Sequence, residues 1–198
     1  MKTLVIIDAQ NDFMPGGSLE VPGGDQIVPV INRIQPNFDL VVATQDWHPE
    51  NHSSFASNHR GKKPFEKILW QGLEQILWPD HCVKNTKGAE IHPDLNTDRV
   101  EAIFRKGVHW EIDSYSGFYD NGHKRNTGLA GYLRERGANE LYICGLAADV
   151  CVRFSVLDAL GEGFKVTVIE DGTFPIDVEG YEDVIRELQG KGCRFIHS

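Results

Sequence analysis

Long apolar runs, paired cysteines and basic clusters are all scarce in this sequence, and each scarcity removes a class of function. The N-terminal apolar run, Leu4 to Ile7, stops at Asp8. That is far short of a signal-peptide core or a membrane span, so the expected setting is cytoplasmic, with no membrane partner. The four cysteines, Cys82, Cys144, Cys151 and Cys193, lie far apart without CxxC spacing. A disulfide framework or a thiolate zinc site is therefore not expected, and the open question is whether one thiol is a nucleophile. Basic residues gather only at Arg60, Lys62 and Lys63, in a chain of formal net charge -9. Binding to a phosphate backbone needs a concentrated basic surface, so no nucleic-acid partner is expected. No HExxH helix, internal repeat, low-complexity segment or linker is present.

What the chain does have is enough apolar content to fill an interior: 40% of 198 residues are hydrophobic. One domain over residues 1–198 is the simplest organisation. Short β-rich runs recur at Thr3–Ile7, Leu40–Thr44, Val100–Phe104, Leu141–Cys144, Val166–Ile169 and, more weakly, Arg194–Ile196. Several are apolar on successive residues, the pattern of strands buried on both faces. Between them lie helical stretches at Asp25–Ile34, Leu129–Arg136 before Gly137, Val150–Leu160 before Gly161, and Tyr181–Leu188 before Gly190. A glycine at such a position is a usual helix stop. Strand–helix alternation predicts an α/β fold: a Rossmann-like, three-layer α/β/α arrangement on a mostly parallel six-stranded sheet. The stretch from His48 to Glu90 is irregular, with a partly helical patch expected around Phe65–Leu77; long ordered insertions are commonly functional.

Placement along the strands carries the functional argument. In open α/β sheets the ligand crevice forms beyond the carboxyl ends of the strands. Asp8 follows the first run, Asp46 and His48 the second, Lys106 the third and Cys151 the fourth. A thiol at a helix N-terminus, near a lysine, is biased toward thiolate. Asp8 could take the thiol proton and pass it to a departing amine, while Lys106 holds both groups. Backbone N–H groups at Ala147 and Cys151 could stabilise an oxyanion. Each residue alone also has an ordinary reading. Cys151 could be a small core residue, Asp8 a strand-ending cap and Lys106 a surface charge.

The ordered motifs narrow this. MKTLVIIDAQNDF with MPGGSL, then TQDWHPENHSSF, WPDHCV, FRKG, SYSGF and GLAADVCV run from Lys2 to about Gly172. Together they resemble those of nicotinamidases in the isochorismatase-like cysteine hydrolase superfamily. The resemblance implies a triad of Asp8, Lys106 and Cys151, and a cis peptide between Leu146 and Ala147. It also implies one divalent metal held by Asp46, His48 and His81, with zinc first and iron or manganese as alternatives. Spacing alone makes these ligands a weak signal, since loop histidines are more often surface residues. A further contribution from His52 or Ser54 stays open. His59, His92, His109, His123 and His197 have no motif support and are expected to be ordinary polar positions.

By the same resemblance the metal binds a pyridine nitrogen, and Phe13, Trp78 and Tyr115 pack the ring. The implied activity is hydrolysis of nicotinamide to nicotinate and ammonia in pyridine-nucleotide salvage, with pyrazinamide accepted as an analogue. The same fold acting on an isochorismate-like ether or a ureido or carbamoyl amide is one competing reading. A non-catalytic binding module is another. The sequence leaves the oligomeric state open, a homo-oligomer included.

Overall fold

Alternation of buried side chains between two faces organises the molecule, a computed structural model that describes residues 1–198. In the first strand, β1 (Lys2–Ile7), Leu4 and Ile6 enter one apolar cluster, whereas Val5 and Ile7 enter another. A strand can feed two cores only when both faces of the sheet are covered. The first core also takes Ile27, Val28, Ile31 and Ile34 of α1 (Ile27–Ile34). The second takes Leu129 and Leu133 of α2 (Leu129–Glu135), Val156 and Ala159 of α3 (Arg153–Gly161), and Leu188 of α4 (Tyr181–Gly190). One helix therefore covers one face and three cover the other, giving the three-layer α/β/α arrangement.

The remaining strands are β2 (Leu40–Asp46), a hairpin of β3 (Lys67–Trp70) and β4 (Leu73–Ile76), β5 (Val100–Lys106), β6 (Glu140–Leu146), β7 (Lys165–Phe174) and β8 (Arg194–Ile196). The main sheet has six strands in the order β5-β2-β1-β6-β7-β8, every pairing parallel. The chain winds outward from β1 in one direction and from β6 in the other. The carboxyl ends of β1 and β6 thus flank the switch point where α/β sheets open a crevice.

Gly145 lets those two ends approach. It sits at φ 116°, and a Cβ there would lie 1.9 Å from the Ile7 carbonyl oxygen. No side chain fits such a contact. The peptide bond from Leu146 to Ala147 is cis.

Several local expectations change. The Phe65–Leu77 segment is an antiparallel hairpin, with Lys67 opposite Ile76 and Trp70 opposite Leu73. Its turn residues, Gln71 and Gly72, both have positive φ, 51° and 80°. That conformation matches the twist of a two-residue hairpin and outweighs the helical spacing of the flanking apolar residues. Gly161 and Gly190 lie inside α3 and α4; the left-handed positions come two residues later, at Gly163 and Gly192. The helix from Val150 begins instead as a single π-helical turn, Ala148–Val152, which passes into α3. Asp46 and Lys106 are the last residues of β2 and β5 rather than the residues after them. No helix is long and apolar enough to cross a membrane.

Candidate active site

Three strand ends converge on one buried ammonium. Lys106, at the end of β5, is only 1% exposed. Its Nζ lies 2.9 Å from Asp8 Oδ2 and 3.1 Å from Asp46 Oδ1, and donates to the Ser114 carbonyl at 2.9 Å. The same nitrogen is 3.6 Å from Cys151 Sγ. Asp8 reaches in through a left-handed backbone, φ 45°, as the chain leaves β1. Cys151 is carried in by the π-helical turn after β6.

Two residues given no role in the sequence reading hold these strand ends, Thr44 at the Asp8 carboxylate and Gln10 at the Asp46 backbone. Thr44 Oγ1 donates to Asp8 Oδ1 at 2.6 Å and accepts the Asp8 backbone N–H at 3.2 Å. Gln10 accepts the Asp46 N–H at 2.7 Å and donates to the Asp46 carbonyl at 2.8 Å. Thr44 reads as one more residue of a buried strand, and Gln10 as a loop residue. Only the pairing of β1 with β2 brings them into place.

The electrostatics follow from burial and this pairing. Burial would lower the Lys106 ammonium, but Asp46 and Asp8 hold it charged, well above the usual lysine range. Burial raises Asp8, and Lys106 and Thr44 only partly offset it, so its carboxyl stays above the ordinary carboxylate value. Burial acts on Asp46 in the same sense, yet His48 and Lys106 prevail and hold it well below. Burial also pushes the Cys151 thiol well up, with Lys106 opposing. This reverses the bias toward thiolate expected from a helix N-terminus and a lysine. Complete desolvation outweighs both effects, and the resting group is the thiol.

The second cluster joins Asp46 to two histidines. His48 Nε2 lies 3.0 Å and His81 Nε2 3.5 Å from Asp46 Oδ2. His48 Nδ1 faces the Gly107 carbonyl at 3.0 Å, and His81 Nδ1 faces the Pro79 carbonyl at 2.7 Å. A ring nitrogen against a carbonyl carries the proton, so in each neutral ring Nε2 presents a lone pair. Two imidazole lone pairs and a carboxylate then face one another, with His48 Nε2 buried and unpartnered. The ligand atoms lie within 4.8 Å of one another. Such a donor set fits a divalent cation, and the carbonyls fix each ring as metal-bound histidines require.

His52 is fully buried beside His48, ring centroids 4.2 Å apart, with Nδ1 bonded to Ser54 Oγ at 2.7 Å. Burial and the neighbouring His48 take it down to about 3, so it stays neutral. Its Nε2 has no hydrogen-bond partner. Among the other histidines, His59, His109 and His123 lie on loops, and His59 Nε2 meets the Ser53 carbonyl at 2.7 Å.

Beside the two clusters lies a partly open pocket, about 320 Å³ of empty space with the solvent at its mouth included. Its lining includes Cys151, Asp46 and His81 together with Phe13, Trp78 and Tyr115. Trp78 Nε1 donates to the Tyr115 hydroxyl at 3.3 Å, which fixes the two rings edge to face. The structure therefore gathers the Cys151 thiol, two of the metal-type ligands and the three aromatics around one space. Ala147 lines it as well. Asp113, Val150 and Ile176 also face it, and sequence reasoning had not singled them out.

Residues 2–198 match the family model described as the Isochorismatase domain. The chain belongs to the isochorismatase family. Within that family it is 47% identical over 196 residues to the nicotinamidase of Acinetobacter baylyi, covering 98% of this chain and 92% of that protein. A solved nicotinamidase/pyrazinamidase of Acinetobacter baumanii superposes with a TM-score of 0.96 at 49% identity, covering 99% of this chain and 95% of the other. The pyrazinamidase of Pyrococcus horikoshii, solved in complex with zinc, gives a TM-score of 0.81 at 38% identity, with coverage of 100% and 99%.

Proposed function

We propose that this isochorismatase-family chain is a nicotinamidase: a cysteine amidohydrolase that converts nicotinamide to nicotinate and ammonia and also deamidates pyrazinamide. Residues 1–198 form its single catalytic domain, and its setting is the reducing cytoplasm, where four free cysteines persist. The carrying observation is the one cavity lined at once by a thiol, a metal-type ligand pair and aromatic rings. A flat ring amide is the ligand chemistry that uses all three.

The thiol begins protonated, and Asp8, with its raised carboxyl, is a competent base beside it. Asp8 takes the proton as Cys151 sulfur bonds to the carboxamide carbon, and the carbonyl electron pair moves onto oxygen. Backbone N–H groups of Ala147 and Cys151 bind that oxyanion. Asp8 then protonates the amide nitrogen, the C–N bond breaks, ammonia leaves and a thioester remains. Water attacks the thioester, giving a proton to Asp8; the C–S bond breaks, and Asp8 returns the proton to sulfur. Lys106 stays charged throughout and keeps Asp8 and Cys151 in register. Asp46, His48 and His81 would hold a divalent ion, zinc in the first instance. Such an ion would supply a Lewis acid for the ring nitrogen of the substrate, drawing electrons from the carboxamide. Phe13, Trp78 and Tyr115 pack the ring.

Ammonia release from nicotinamide, measured for the wild type, Cys151→Ala and chelator-stripped protein, tests the reading. The expected result is a loss of at least about 10³-fold in the cysteine variant. Stripping should lower activity, with recovery on adding zinc. Unchanged release by Cys151→Ala would refute the covalent mechanism, and no release by metal-loaded wild type would refute the assignment.

A further inference from the structure

One buried carboxylate beside the site has no part in the mechanism above. Asp113, 3% exposed, lines the same cavity as Cys151 and His81. Its Oδ1 accepts the Ser114 backbone N–H at 2.8 Å, and its Oδ2 accepts from Gln75 Nε2 at 3.2 Å. Both donors are neutral. A buried carboxylate without a cationic partner is costly, so its retention calls for a positive charge nearby.

The charges around the site are out of balance in the same direction. Three buried carboxylates, Asp8, Asp46 and Asp113, face one buried ammonium, Lys106. A divalent ion at the Asp46–His48–His81 cluster would offset that excess of buried carboxylates. Asp113 is also close enough to matter: one of its oxygens and ring nitrogens of His48 and His52 lie within 4.8 Å of one another. Nε2 of both rings is buried without a hydrogen-bond partner. Gln75 explains how the carboxylate is held there. It sits in β4, 4% exposed, and the hairpin delivers its amide to Asp113 Oδ2 and to the Tyr115 hydroxyl, each at 3.2 Å.

We propose that Asp113 is a positioning residue for the metal centre: held by Gln75, it supplies the negative charge that makes the Asp46–His48–His81 site select a divalent cation. It acts through the field at His48 and His52 rather than as a member of the ligand group. This rests on the metal reading given under the proposed function. It also gives the hairpin a task, since the hairpin carries the side chain that holds the counter-charge.

The test is zinc affinity of the metal-free protein, measured by competition with a chromophoric chelator, together with melting temperature with and without zinc. The proteins compared are wild type, Asp113→Asn and, as a control for general charge, Glu111→Gln at the surface. Asp113→Asn is expected to bind zinc about 10–100-fold more weakly, the usual effect of removing an outer partner of a metal site. Its metal-free melting temperature should equal or exceed that of the wild type, because an unpaired buried charge is gone. The rise produced by zinc should shrink, as linkage requires, and Glu111→Gln should bind as the wild type does. Unchanged zinc affinity in Asp113→Asn, or equal loss of stability with and without zinc, overturns the proposal. Wild-type protein that binds no zinc overturns the metal reading itself. Should Asp113→Asn fail to fold, Gln75→Met carries the test: weakened zinc binding supports the proposal and unchanged binding overturns it.

Discussion

Thr44 contributes one hydroxyl to the site, and that hydroxyl bears on Asp8, the base of the proposed mechanism. It donates to Asp8 Oδ1 at 2.6 Å, which favours the charged carboxylate against the burial that raises it. Thr44→Val keeps the shape and removes the donor. Asp8 should then be harder to ionise, so the acid limb of kcat/KM should move to higher pH. The sign is fixed by role: the base must start deprotonated, and its folded-state value, already raised, rises further. Activity well above that limb should largely recover. The lost hydrogen bond should cost about 1–3 kcal/mol of stability, because Asp8 keeps an unsatisfied oxygen. A pH–rate profile of the variant decides it; a limb that stays in place or moves down removes Thr44 from the mechanism.

At the scale of elements, strand ends position chemistry and the residues just beyond them limit it. Gly107, directly after β5, adopts φ 64°, and a Cβ there would lie 2.3 Å from His48 Cε1 and 2.5 Å from its Nδ1. Gly107→Ala should therefore push the imidazole off the carbonyl that orients it and crowd Asp46 Oδ1, 3.0 Å from the added Cβ. The expected outcome is lower zinc content and lower activity at limiting zinc, partly restored by excess zinc. Metal analysis beside an activity titration checks this, and full zinc content in the variant would contradict it. The need for glycine there was invisible in the sequence, because FRKG says nothing of a histidine 59 residues away in the chain. The strand runs were legible for a local reason: successive apolar residues bounded by polar ones report burial on both faces. The hairpin was not, because Ile68, Leu69, Leu73, Ile76 and Leu77 fit a helical stripe as well as two short strands. The left-handed pair Gln71–Gly72 decided between them. Gln75 and Asp113 escaped notice because neither has meaning until the hairpin folds over the segment after β5.

Across the whole molecule, three strands distant in sequence end in charges that stabilise one another only when the sheet is assembled. Asp8 ends the first stretch, Asp46 closes β2 and Lys106 closes β5, and their side chains are almost wholly removed from water. This grouping was partly legible, since the residues sit at successive strand ends. The order β5-β2-β1 that makes them neighbours had to come from the fold. Lys106→Met keeps the apolar stem and removes the cation, leaving two buried carboxylates to repel each other. The loss should be about 3–5 kcal/mol near neutral pH, the scale for breaking a buried ion pair from one side. The pH dependence follows from the shifts. Lys106 is raised, so its contribution is complete below the unfolded lysine value and lost only as pH climbs through the folded one. Asp46 is depressed, so its contribution is present above the unfolded carboxylate value and lost as pH falls through the folded one. In the variant, protonation relieves the repulsion. Urea unfolding of both proteins should therefore show a gap widest around pH 7 that narrows toward about pH 4. A gap that stays constant across that range would mean that lost packing, rather than lost charge, accounts for the effect.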